Sequence, residues 1–143
     1  ASSANSTPTT LPEQALGALQ PFADACRAVL PDTSRSGGVR LGFFLFLLGA
    51  ADRLWQLYGL DDRRFPEFAA CLLQAHGVPA SSATTLAYDL PQLREVEHAR
   101  AILLEGADVF AQWTESHDAD AVLRITQLAP GWQALDSALG RHR

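Results

Sequence analysis

The best-spaced chemical residues in this sequence are Glu95 and His98, in the stretch Glu95-Val96-Glu97-His98. Glu-x-x-His on a helix sets a carboxylate and an imidazole on one face. Two such motifs, with further glutamates from neighbouring helices, make the di-iron centre of ferritin-like bundles. Glu105 follows two turns later, and Glu13 and Glu67 fall on other predicted helices, but the second Glu-x-x-His is absent. A metal enzyme built on Glu95, His98 and Glu105 therefore ranks behind a solvated, charged helix face. The remaining histidines are scattered. His76 sits at a predicted helix C-terminus, where a cation favours the helix dipole. His117 lies in a polar turn and His142 near the chain end, and none has a cysteine or histidine at zinc spacing. A haem ligand among His76, His98 and His117 would need an apolar pocket, whereas His98 sits among charges.

Nucleophile chemistry has no better footing. There is no Gly-x-Ser-x-Gly, and Cys26 and Cys71 have no base beside them in sequence. The 2 cysteines fall inside apolar helical patterns and read as buried free thiols of a reducing compartment. The 11 basic residues are all arginine, so Schiff-base lysines and the P-loop lysine are excluded together. The best local anion site is Arg35-Ser36-Gly37-Gly38-Val39-Arg40, where Gly37 and Gly38 open a helix between Arg35 and Arg40. A glycine hinge in a flexible loop is the plainer reading of it. Arg63-Arg64 is flanked by Asp61-Asp62 and Glu67 and reads as a mixed-charge helix start. No catalytic residue, metal site or cofactor is expected from these patterns.

Charge points the same way. The chain of 143 residues carries a net charge of −5, with a pI near 5.2. That argues against a general nucleic-acid binder, which needs a basic face to neutralise phosphates. Arginine without lysine reads as the coding bias of a GC-rich bacterium. The expected location is the bacterial cytoplasm.

The element that must position everything else is the apolar run Leu41–Ala51, LGFFLFLLGAA, bracketed by Arg40 and Asp52-Arg53. As a helix it would rise roughly 16 Å, against about 30 Å of hydrocarbon, so it does not span a membrane. The pattern continues with helical spacing through Leu54, Trp55, Leu57 and Tyr58. A helix apolar on all sides is a buried helix. Gly42 and Gly49 lie two turns apart on one side of it, where a partner backbone could approach closely. Each glycine costs about 1 kcal/mol of helix propensity relative to alanine, so a packing reason is expected.

The rest of the chain also reads as helices. Residues 1–9 are small, polar and aperiodic, and are expected to be a disordered tail ahead of one helical domain over 10–143. Thr10-x-x-Glu13 is a capping box for a helix to about Leu30, with Pro21 expected to kink or split it. Residues 31–38 form a loop. The central helix, about 39–58, stops at Gly59. A helix after Asp61-Asp62 stops at His76-Gly77-Val78-Pro79. Ser81 or Ser82 caps a short helix to Tyr88, Asp89-Leu90-Pro91 breaks the chain, and a long helix follows over 92–114. Asp118 caps another to about Leu128, and Pro130 starts a last one carrying Trp132, Leu135 and Leu139. No stretch alternates with period two, so no sheet is expected. The fold class is all-α: an irregular bundle of six to seven helices around the central apolar helix.

A full apolar helix in a small chain without catalytic spacing points to contact with another protein. The expected role is a small regulatory or adaptor protein acting as a homodimer. Gly42, Leu45, Gly49, Trp55, Tyr58 and Phe65 are its candidate interface or pocket residues. The alternatives are a small-ligand domain with an aromatic pocket lined by Phe44, Trp55, Tyr58 and Phe110, or a binder of the secretion-chaperone or immunity type.

Overall fold

The computed structural model describes residues 11–30 and 37–132. They form seven α-helices, with no strand among the described residues. These are α1 Leu11–Val29, α2 Gly37–Leu57, α3 Phe65–Ala75, α4 Ala80–Tyr88, α5 Leu90–Leu93, α6 Glu97–Glu115 and α7 Ile125–Trp132. Tight 3-10 turns at Asp62–Arg64 and Ala119–Arg124 lead into α3 and α7. The all-α bundle expected from the sequence is the observed architecture, with α2 touching α1, α3, α6 and α7. The expected tail 1–9 and the positions Leu135 and Leu139 lie outside the described residues.

Helix ends follow backbone chemistry. Gly59 (φ 63) closes α2 and Gly77 (φ 96) closes α3, both conformations that side chains resist and glycine adopts freely. At the first, Leu60 N–H donates to the Trp55 carbonyl and Gly59 N–H to that of Gln56. At the second, Val78 donates to Leu73 and Gly77 to Gln74. Both are Schellman closures that satisfy carbonyls left over at a helix end. His117 takes φ 54 after α6 without being glycine.

Several boundaries differ from the sequence reading. Pro21 lies inside α1, which is not split there. Pro79, not Ser81 or Ser82, precedes α4, with no side-chain cap. The segment expected as a break at Asp89-Leu90-Pro91 is a single helical turn, α5, with Pro91 in its first turn, where a missing N–H is harmless. The long helix starts at Glu97 because Val96 is extended (φ −86, ψ 117). Pro130 sits inside α7 instead of starting a helix.

The closest packing in the bundle is between α2 and α6. A Cβ at position 49 would collide with the backbone carbonyl of Leu103, and one at 106 with that of Phe46. The two helices therefore touch backbone to backbone through reciprocal glycines. Gly42 lies under Trp132 of α7, whose indole occupies the space a side chain at 42 would fill. Around this crossing the core is wholly apolar, and no polar or charged residue among those described is buried. Phe22 of α1 stacks on Phe46 at 6.2 Å and meets Phe110 edge-on at 5.1 Å, while Phe46 also meets Trp132 at 5.7 Å. One aromatic cluster thus joins α1, α2, α6 and α7. Burial of each such ring stabilises the fold by about 1.5–3 kcal/mol.

Gly49→Ala and Gly106→Ala should each destabilise the protein by about 1–3 kcal/mol, because the neighbouring element is backbone and yields only by shifting a helix. Gly17→Ala is the control. Gly17 is in α1 with open space around it, and alanine there should stabilise by about 0.5–1 kcal/mol through helix propensity. Urea unfolding followed by circular dichroism measures all three; an unchanged midpoint for Gly49→Ala would contradict the backbone contact.

Candidate functional site

The residues singled out in the sequence separate into an interior set and an exterior set. Gly42, Leu45, Gly49, Trp55 and Phe65 are inside, with Leu45 fully enclosed. Their neighbours belong to the same chain. Gly42 and Gly49 receive Trp132 and the Leu103 backbone, so the face expected to meet a second subunit is already covered by α6 and α7. Trp55 stacks on Phe68 at 5.1 Å and meets Phe65 edge-on at 5.8 Å, and its indole N–H donates to the Asp61 carbonyl at 3.0 Å. It closes the joint between α2 and α3. Tyr58, one turn on, is 54% exposed.

The expected aromatic pocket is accordingly distributed. Trp55 belongs to the α2–α3 cluster, Phe110 to the Phe22 cluster, Phe44 is half-buried against Phe43 at 6.1 Å, and Tyr58 faces outward. The anion candidate is divided too. Gly37 and Gly38 do open α2 and Arg40 is exposed, whereas Arg35 lies outside the described residues. Glu95 precedes the start of α6 and His98 follows it, so the Glu-x-x-His motif does not lie on one helix; both side chains are exposed. Among the described residues no group of three or more histidine, cysteine or carboxylate side chains is placed to hold a metal.

Ion pairs on the outer surface that join separate elements include Arg53–Glu115 at 3.0 Å, Arg94–Asp52 at 3.4 Å and Arg124–Asp108 at 2.7 Å. All are partly solvated, so each contributes at most about 1 kcal/mol. Arg53–Glu115 ties α2 to α6, and Arg94–Asp52 ties the turn before α6 to α2. Burial pushes the Asp52 carboxyl up from its ordinary value, against the opposing pull of Arg94, and nearby Asp62 adds to the rise. Burial raises Glu105 as well, with Arg124 opposing. The exposed Asp61 carboxylate is held low by the hydrogen bonds it accepts from Arg63.

A second polar group was not legible from spacing. The Arg27 guanidinium of α1 donates to Nδ1 of His76 at 2.7 Å. It also stands 5.5 Å over the Phe43 ring of α2, against which His76 packs edge-on at 6.2 Å. The helix end was expected to favour a charged His76. Burial, and then Arg27, instead lower its affinity for a proton. The signal that could have found this is the conjunction of a long cation and an aromatic on separate helices, which only tertiary contact brings together.

Both cysteines are free, Cys26 in the core and Cys71 partly buried. Burial raises the Cys26 thiol to about 12.

No protein-family model matches the chain, and no solved structure matches it. Among curated proteins it is similar to the BLOC-2 complex member HPS6 of Mus musculus. The two are 40% identical over 67 residues, which is 46% of this chain and 8% of that protein. The chain thus spans only a small part of the curated relative it matches. That relative is a mouse protein and lends no support to the bacterial source read from arginine usage. No helix among the described residues is long and apolar enough to cross a membrane.

Three outcomes follow from these placements. Leu45→Arg puts a charge into a closed core and should abolish folding, seen as loss of the cooperative thermal transition. Tyr58→Ser, at an exposed position, should shift stability by no more than about 0.5 kcal/mol; a folded Leu45→Arg protein would mean that the α2 surface is open. Iodoacetamide at neutral pH should label Cys71 well before Cys26, because the thiolate is the reactive form and Cys26 hardly populates it. Peptide mapping of the folded protein reads the order directly.

Proposed function

We propose that this chain is a helical interaction module that binds a partner protein and serves assembly or regulation rather than catalysis. The observation that carries the reading is the likeness of 46% of the chain to a protein named as a member of the BLOC-2 complex. The side-chain arrangement supports it. Polar groups are spread over the surface in separate pairs, and the interior is filled by the chain's own aromatics. Among the described residues, the large apolar side chains left outside are Leu57, Tyr58, Tyr88, Leu104 and Leu123, with Tyr88 and Leu104 each 63% exposed. Such side chains gain most from burial under a partner.

The face of α2 that carries Gly42, Leu45 and Gly49 is not free for self-association, because other helices of the same chain cover it, whereas Leu57 at its end is exposed. A homodimer, in this reading, uses the outer side chains. The aromatic-pocket reading has no comparable support, since its four residues do not converge.

Light scattering across a concentration series, with and without a stoichiometric candidate subunit, tests the proposal. The expected result is a defined complex mass. It should be weakened at least about tenfold in a Leu57→Asp, Leu104→Asp variant whose melting temperature is unchanged; tenfold corresponds to about 1.4 kcal/mol of lost apolar contact. A strict monomer that enters no complex with any candidate, or a complex indifferent to the outer apolar residues, would overturn it.

A further inference from the structure

His76 stands where three helices meet. Its ring ends α3, packs edge-on against Phe43 of α2, and accepts from Arg27 of α1. A guanidinium only donates, so Nδ1 carries the lone pair and the neutral ring's proton is on Nε2. Nε2 is buried and has no hydrogen-bond partner among the described residues. The neutral ring therefore makes one strong bond, to α1. Protonation adds a hydrogen at Nδ1 pointing at the guanidinium, which converts an acceptor into a second donor and sets two cations face to face.

We propose that the Arg27–His76 pair is an acid-sensitive latch holding the C-terminal end of α3 against α1, closed while the imidazole is neutral and released when it is protonated. This goes beyond the interaction reading and does not depend on it. α3 carries α4 packed against it, so release loosens that helical pair from α1 while the contact of Gly49 and Gly106 with main-chain carbonyls, which holds α2 to α6, stays shut.

The charged groups facing His76 set the balance. From α1 come Arg27, which disfavours the imidazolium, and Asp24, which favours it. Among the described residues of α2, the Phe43 ring faces it. The carbonyl end of α3 itself favours a cation. Burial, the largest influence, and Arg27 together outweigh Asp24, so the proton affinity in the folded state lies below the ordinary 6.5. The unfolded chain then takes up the proton more readily. The latch is fully closed above about pH 6.5 and weakens as the pH falls from there to the folded midpoint, with no further loss below it. The closed-to-open ratio drops about tenfold for each unit between the two.

The test follows the His76 Cε1–H resonance from about pH 8 to about pH 4.5, with amide exchange of 72–78 measured over the same range after correction for intrinsic rates. His76→Gln, which keeps an acceptor for Arg27 but cannot take a proton, assigns the resonance. The expected results are a midpoint below 6.5, protection that falls from about pH 6.5 to that midpoint and levels off below it, and pH-independent protection over this window in His76→Gln. Arg27→Gln should move the midpoint upward. A midpoint at or above 6.5, protection that does not change, or a loss that follows the carboxylates instead would overturn the latch. Should His76→Gln fail to fold, the wild-type and Arg27→Gln titrations decide alone.

Discussion

The contact on which the rest of the molecule depends is the glycine-to-backbone crossing of α2 and α6. Gly49 and Gly106 each lie against a carbonyl of the other helix, at Leu103 and Phe46. No side chain separates the two backbones there, so their separation is fixed by main-chain contact and not by a compressible layer of leucines. Everything else is arranged around that distance. Phe46 can touch both Phe22 and Trp132, and Phe110 can reach Phe22, because the helices bearing them are drawn together at this point. Each glycine weakens its own helix by about 1 kcal/mol, and the packing it permits offsets that loss.

Away from the crossing, the chain uses aromatic side chains as joints and polar pairs as surface ties. Trp55, with Phe65 and Phe68, fixes the turn from α2 into α3, and its one polar atom is satisfied by the Asp61 carbonyl. The ion pairs of Arg53, Arg94 and Arg124 lie outside this apolar interior and are screened by water. The Arg27–His76 pair differs because one of its ring nitrogens is turned into the protein. The molecule thus combines rigid apolar joints with polar groups dispersed over its surface.

Much of the fold was legible because helix punctuation is local. Gly59 and Gly77 announce chain reversals that need positive φ, and the period of Leu41 to Tyr58 announces a buried helix. The misread boundaries share a cause: Pro21 was expected to kink or split its helix, Asp89-Leu90-Pro91 to break the chain and Pro130 to start a helix, yet each proline is held within helical structure. Proline removes one backbone bond, and packing of the flanking turns compensates for it. The candidate site was less legible. Glu95 and His98 share helical spacing but not a helix, since an extended Val96 intervenes. Tyr58 and Trp55 belong to one sequence pattern, yet one is in water and the other in the core.

The sequence by itself determined that the chain is helical, where most helices stop, and that α2 must be covered on every side, because propensity, capping and periodicity act over a few residues. What covers α2 was decided by the tertiary structure. Gly49 could accept a backbone from another subunit or from the same chain, and its spacing is identical in either case. Only the path of the chain through α6 and α7 places Leu103 and Trp132 there. The charge state of His76 was decided the same way. Its helix end favours a cation, while burial and a guanidinium from residues distant in sequence oppose it, and the stronger influences are those that folding brings together.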